Sequence, residues 1–239
     1  MYQTLTNAPF EKSLILVKVA DHSLALRFRN MGVFEGMELI RLKEDVKLQP
    51  IRVGGSKGDA VIGGGMSSKI IVSLNDGGRK SSLSEMEPGE TGYIARLTGG
   101  SGLSNALKIL GFEKNERITL IRRLPPMEYN AFIEKKGKIR LTESMAAKIW
   151  GEMDGKMVQF NFVQKKKKFF VKSLLGGQNA VEMLHSRGIE TGIVLILEGI
   201  RPARNLYMCK NNPTVVSTKD GLRLFLKEKD CEQIFVKEK

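Results

Sequence analysis

The residues that could ligate a metal are few. His22 and His185, with Cys209 and Cys231, are all the imidazoles and thiols in 239 residues. Asp21 beside His22 adds one oxygen donor. A structural or catalytic site needs three or four convergent ligands, but the two histidines lie in different repeats and the two cysteines, in one repeat, have no CxxC spacing. No resident metal or cofactor is expected. Gly54-Gly-Ser-Lys-Gly58 and Gly63-Gly-Gly65 suggest phosphate cradles. Neither follows the GxxxxGK[ST] pattern or joins a strand to a long helix, so both read as hairpin glycines. No GxSxG elbow occurs and no histidine pairs with a serine at a known spacing. The chain is therefore not read as an enzyme.

One charged constellation stands out. Lys165–Lys168 are four consecutive lysines, flanked by Phe160, Phe162, Phe169 and Phe170. A basic run with aromatic neighbours can hold single-stranded nucleic acid or an anionic membrane surface. The same run also reads as a solvated linker whose lysines keep a sheet edge from pairing. The net charge is +13, and the thirds 1–80, 81–164 and 165–239 carry +4, +2 and +7. The last third thus holds most of the excess.

The elements that must carry these residues repeat three times. The stretch Ala106–Leu120 holds a short amphipathic helix (Leu103, Leu107, Leu110), then Gly111, Asn115 and an apolar strand. Phe28–Leu42 has the same grammar around Gly32 and Gly36, and Leu184–Leu197 around Gly188 and Gly192. Gly32, Gly111 and Gly188 sit where a helix takes a left-handed C-terminal cap. Gly36, Asn115 and Gly192 mark a second positive-φ position, for which asparagine is the best non-glycine residue. The first glycines are 79 and 77 residues apart. An apolar strand precedes each helix: Leu14–Val19, Gly92–Leu97 and Phe169–Leu174. Proline follows the next strand at Pro50, Pro125–Pro126 and Pro202. Each copy closes with a strand, a short turn and an isoleucine, and Ala60–Ile70, Ile139–Ile149 and Leu224–Ile234 share one 10-residue interval.

Fixed-period similarity of this kind marks a repeat architecture. Each copy reads as strand, short helix and then four strands joined by tight turns. Such small sheets must curl to protect their edges. The fold class expected is mainly β: three tandem small barrels, each with an inserted helix, at residues 1–75, 82–164 and 166–239. Asn75–Ser82 is the clearest linker, and limited proteolysis should cut there first. Residues 152–163 go beyond the other copies, and the alternation of MVQFNFV predicts an additional strand. Hydrophobic residues make up 41% of the chain, with no apolar run long enough to span a bilayer. The N-terminus MYQTLTNAPFEK lacks the layout of a signal peptide. A cytoplasmic protein with reduced thiols is the plain reading, and a Cys209–Cys231 bridge is the alternative.

At Pro88-Gly89, Leu107-Lys-Ile-Leu-Gly-Phe112, Ile118–Leu120 and Ala146-Ala-Lys-Ile149 the sequence resembles the FeoA family of ferrous iron transport accessory proteins. Met31-Gly-Val-Phe-Glu-Gly36 and Arg187-Gly-Ile-Glu-Thr-Gly192 match the centre of that pattern. Ile70-Ile-Val72 and Ile234-Phe-Val236 match its ending. The resemblance covers almost the whole chain as three copies, although Asn115 replaces a glycine and the Pro-Gly pair is missing from the first and third. It implies an SH3-like barrel with an inserted helix, and a cytosolic partner of the membrane GTPase transporter FeoB. Weak or transient ferrous iron binding stays open. The function expected is a non-enzymatic accessory protein associated with ferrous iron transport. The alternative is a basic small-barrel module binding nucleic acid or an anionic membrane surface.

Overall fold

The computed structural model describes residues 2–43, 49–75, 79–203, 213–218 and 222–239. Its strands form three six-stranded sheets. The chain divides into two compact units, one grouping the strands of the first sheet with Lys80–Ser82 and the other holding the third sheet and the remaining strands of the second.

The helices end as their glycines dictate. Asp21 caps His22–Met31 by accepting the Leu24 N–H at 2.7 Å. The helix stops at Gly32, with φ of 81°. Ser101–Leu110 stops at Gly111, with φ of 84°. Gln178–His185 runs through Ser186 and Arg187 to Gly188, with φ of 75°. In all three, the next apolar residue donates its N–H back to the carbonyl five residues earlier. The pairs are Val33 to Phe28 (2.8 Å), Phe112 to Leu107 (2.8 Å) and Ile189 to Leu184 (3.0 Å). This is the bonding that defines a Schellman cap. Gly36, Asn115 and Gly192, with φ of 87°, 69° and 87°, donate to the carbonyls of Leu16, Ile94 and Val171. The second positive-φ position thus ties the turn to the strand that precedes the helix.

The sheets share one strand order. In the second it runs Gly58–Ile62, Ile51–Gly55, Arg117–Arg123, Thr91–Leu97, Ile70–Leu74 and Lys80–Ser82. In the third it runs Gly137–Thr142, Met127–Ile133, Val194–Pro202, Lys168–Leu174, Ile149–Met153 and Lys156–Gln159. In the first it runs Arg223–Leu226, Thr214–Thr218, Glu38–Leu42, Ser13–Val19, Ile234–Glu238 and Gln3–Thr4. Among the described residues none of these orders closes into a barrel.

Two expectations change. The strand–helix–strand half of each repeat does not pair with its own hairpin, but with the hairpin and closing strand of the preceding repeat. Thr91–Arg123 is completed by Ile51–Leu74, and Lys168–Pro202 by Met127–Met153. Ser13–Leu42 is completed by Thr214–Glu238 from the far end of the chain. The boundaries 1–75, 82–164 and 166–239 are therefore not those of the sheets. The connections give the physical reason. Leu124-Pro125-Pro126 separates Arg117–Arg123 from Met127–Ile133, and residues before proline favour extended backbone. The chain runs on instead of folding back, and Leu124 donates its N–H to Pro50 at 2.8 Å.

The second change concerns residues 152–163. Lys156–Gln159 is a strand, but not an extra one, because Lys80–Ser82 and Gln3–Thr4 hold the same place in their sheets. Phe160–Phe162 is a single 3-10 turn.

Each sheet has its own apolar core. The second buries Val53, Ile70, Ile94, Leu107 and Phe112; the third buries Ala131, Ile149, Phe160, Phe169 and Leu195. The first buries Leu14, Phe28, Leu39, Val216 and Ile234, drawing on both ends of the chain.

Candidate functional site

The lysine run forms a turn that all three copies possess. Lys166 takes φ of 65° and donates its N–H to Leu197 at 2.9 Å. Gly89, with φ of 94°, donates to Leu120 at 2.7 Å, and Glu11, with φ of 57°, donates to Arg41 at 2.8 Å. Phe10-Glu11, Pro88-Gly89 and Lys165-Lys166 are thus three versions of one turn, only one of which keeps the proline and glycine.

Two of the four lysines are already engaged. Lys167 pairs with Asp154 at 3.2 Å and Lys168 with Glu134 at 3.3 Å. Exposed pairs of this kind contribute only about 0–1 kcal/mol, yet they offset half of the run's charge locally. Lys165 and Lys166 are exposed. The flanking aromatics do not gather beside them. Phe160 and Phe169 are buried core, in edge contact at 5.2 Å. Phe162 is half-buried with Val61, Leu124 and Ala147, and the Arg52 guanidinium lies over its ring at 5.5 Å. Phe170 alone is well exposed.

The metal candidates are dispersed. His22 begins one helix and His185 ends another, both exposed. Asp21 spends its carboxylate on the Ser23 hydroxyl and the Leu24 N–H, and the Ser23 bond leads in holding its pKa below the usual value. Cys231 is buried, which pushes its thiol pKa up. Cys209, and with it the proposed bridge, lies outside the described residues. Among the described residues no three His, Cys, Asp or Glu side chains are grouped to hold a metal ion. Gly54 and Gly55 lie in the strand entering a hairpin, and Gly63 precedes the short turn Gly64–Ser67.

The structure also assembles a buried polar cluster that no motif announced. Glu143 opens the short helix Glu143–Ala146 behind Thr142, whose hydroxyl accepts the Met145 N–H at 3.3 Å. The Glu143 carboxyl accepts the Tyr129 hydroxyl at 2.8 Å and the Asn161 amide at 2.6 Å. Burial is the main force raising the Glu143 pKa; the two hydrogen bonds and the charge of Arg122 oppose it. Burial also raises the Tyr129 pKa. The Asn161 carbonyl oxygen, Oδ1, is buried without a partner. Neighbouring Gln159, 1% exposed, uses its side-chain amide as a piece of strand. It accepts the Val61 N–H at 2.8 Å, and donates to the Val61 carbonyl at 2.9 Å and the Ala147 carbonyl at 2.7 Å. Lys148 donates to the Ser144 carbonyl at 2.9 Å, and burial lowers its pKa. These groups tie strand to turn.

The sequence signal for the cluster is slight: Gln159 and Asn161 fall in the alternating run MVQFNFV, which marks a strand and not a polar cluster, and Tyr129 and Glu143 belong to no motif.

With this geometry in place, comparison identifies one segment. Residues 81–153 match the FeoA domain family. The matched segment covers less than a third of the chain, and its two halves lie in different sheets: Thr91–Arg123 in the second and Met127–Met153 in the third. No curated protein and no solved structure matches the chain. No helix among the described residues is long and apolar enough to cross a membrane.

Proposed function

We propose that the chain is a cytoplasmic, non-enzymatic accessory protein of ferrous iron transport, acting by binding a protein partner such as an FeoB-like membrane GTPase transporter. The observation that carries this reading is the FeoA domain match over residues 81–153. The threefold recurrence of cap, tied turn and strand order supports extending it to all three copies, each an SH3-like sheet with an inserted helix. Three related modules on one chain suit multivalent contact, in which linked weak sites gain avidity. A single chain then stands in for several copies of a one-module protein.

The test is affinity capture with the intact protein from its own cells, grown with and without ferrous iron. Recovery of a membrane GTPase is the expected result. An iron-independent set of ribosomal or DNA-bound proteins would instead favour the basic-surface alternative. That alternative demands steep weakening with salt, each phosphate contact adding roughly 0.9 to the log–log slope on duplex DNA. It also demands sensitivity to replacing Lys165–Lys168 with glutamine. The same proposal holds that the protein carries no resident metal: iron or zinc at one equivalent after exhaustive dialysis would overturn that part.

A further inference from the structure

Among the described residues no strand pairs with the outer side of Gly137–Thr142, the edge strand of the third sheet. We propose that this side is a strand-pairing slot that receives an extended, acidic segment of the protein partner by strand addition. This rests on the protein-binding reading above and names where the partner docks.

The molecule shows what fills such a slot. In the second sheet the edge strand is Gly58–Ile62. Val61, opposite Arg52, turns its N–H and C=O outward, and the Gln159 amide engages both. A side-chain amide acts there as one residue of a neighbouring strand. Arg140 is the corresponding residue of the third sheet, 79 positions on and opposite Asn130. Its carbonyl is turned outward, because the Arg187 guanidinium reaches it at 3.4 Å. In an antiparallel ladder both backbone groups of such a residue face the same way, and the pattern recurs at every second residue. Lys138 and Arg140 therefore both offer N–H and C=O to the open side. Arg187, long and poorly held at 3.4 Å, is the one group among the described residues that reaches Arg140 there.

Charge selects the occupant. Lys135, Lys138, Arg140 and Arg187 are all exposed around this strand. Lys138 has a distant ion pair with Glu198 at 3.7 Å, and Lys136 pairs with Glu190 at 3.1 Å. Lys135, Arg140 and Arg187 form no ion pair among the described residues. By contrast, Arg52 on the second sheet's hairpin is neutralised by Asp59 at 2.6 Å. An extended segment with carboxylates at alternate residues would meet Lys138 and Arg140 on one face while its backbone fills the slot, the usual mode of strand addition.

The experiment uses the full chain and two fluorescein-labelled decapeptides of alternating glutamate and valine, one of them N-methylated at every second residue. Both carry the same charge, but the methylated one cannot complete a ladder along one edge. Anisotropy titration should show saturable binding of the first, weakened about tenfold by methylation, as expected for one or two lost hydrogen bonds. The Lys138→Glu/Arg140→Glu double variant should weaken it at least as much, with an unchanged circular dichroism spectrum. No binding of the first peptide, or equal binding of both, would overturn the proposal, the second result by reducing it to charge attraction. Concentration-dependent self-association that the double variant abolishes would assign the slot to a second copy of the chain and also overturn it. Capture of the membrane GTPase by wild type and double variant alike would remove this slot and leave the proposed function standing. Failure of the wild type to capture it, with peptide binding intact, would do the reverse.

Discussion

Glu143 shows how much one residue's surroundings can set. Its carboxyl is 5% exposed, and burial raises its pKa above the ordinary value of 4.5. The folded state therefore favours the neutral acid more than the unfolded chain does. The contribution to stability is greatest below the unfolded carboxyl pKa and is lost as pH rises through the folded one. Glu143→Gln keeps an acceptor for Tyr129 and Asn161 without a titratable charge. Melting followed from pH 4 to 8 should show a flatter profile for this variant, with an equal or higher midpoint at pH 7. For a chain of this size a gain of 1 kcal/mol corresponds to about 2–4 °C. A variant keeping the wild-type slope would exclude Glu143 as the responsible group. Gly111 tests backbone instead of charge. Its φ is 84°, and an added Cβ would meet the Lys57 side chain at 2.6 Å. That neighbour is a flexible stem, so the left-handed backbone dominates. Gly111→Ala should cost about 1–2 kcal/mol in urea unfolding.

At the scale of elements, some of the fold was legible in the sequence and some was not, for physical reasons. Positive-φ positions favour glycine and, next, asparagine, so the caps at Gly32, Gly111 and Gly188 and the tied turns at Gly36, Asn115 and Gly192 left marks at fixed spacing. The turn at Lys165-Lys166 left none, because its conformation is held by the Leu197 carbonyl with no special side chain. Basic composition there suggested either a binding patch or a solvated linker, and neither reading specifies the turn. Gln159 was equally silent: a glutamine that replaces a strand looks like any other in sequence. Its value can be measured. Gln159→Leu leaves the Val61 N–H and two carbonyls buried without their partners, which should cost about 2–3 kcal/mol. Gln159→Glu loses both donor contacts and buries a charge, so it should be worse than leucine. Denaturant unfolding of the three proteins gives the order directly; leucine matching wild type would mean that water or backbone shifts satisfy Val61.

For the whole molecule, the consequence is that, among the described residues, no repeat completes a sheet from its own sequence. The partner strands were invisible in the pattern because the copies are alike. A hairpin such as Ile51–Ile62 has the same alternation whether it joins its own repeat or the next, and only the stiff Leu124-Pro125-Pro126 connection hints at the choice. Exchange of equivalent elements among copies is a known route to assembly, and here it is closed within one chain when Thr214–Glu238 returns to Ser13–Leu42. A nick provides the test. With a protease site placed across residues 76–78 and then cut, contiguous barrels would separate into a piece ending near Asn75 and a piece beginning near Arg79. Exchange predicts that they stay together. The first piece supplies Ile51–Leu74 to the second sheet and Ser13–Leu42 to the first, and both sheets take their remaining main strands from the second piece. The nicked protein should elute as one species under native conditions and come apart only in denaturant. Separation under native conditions would show that each repeat closes on itself.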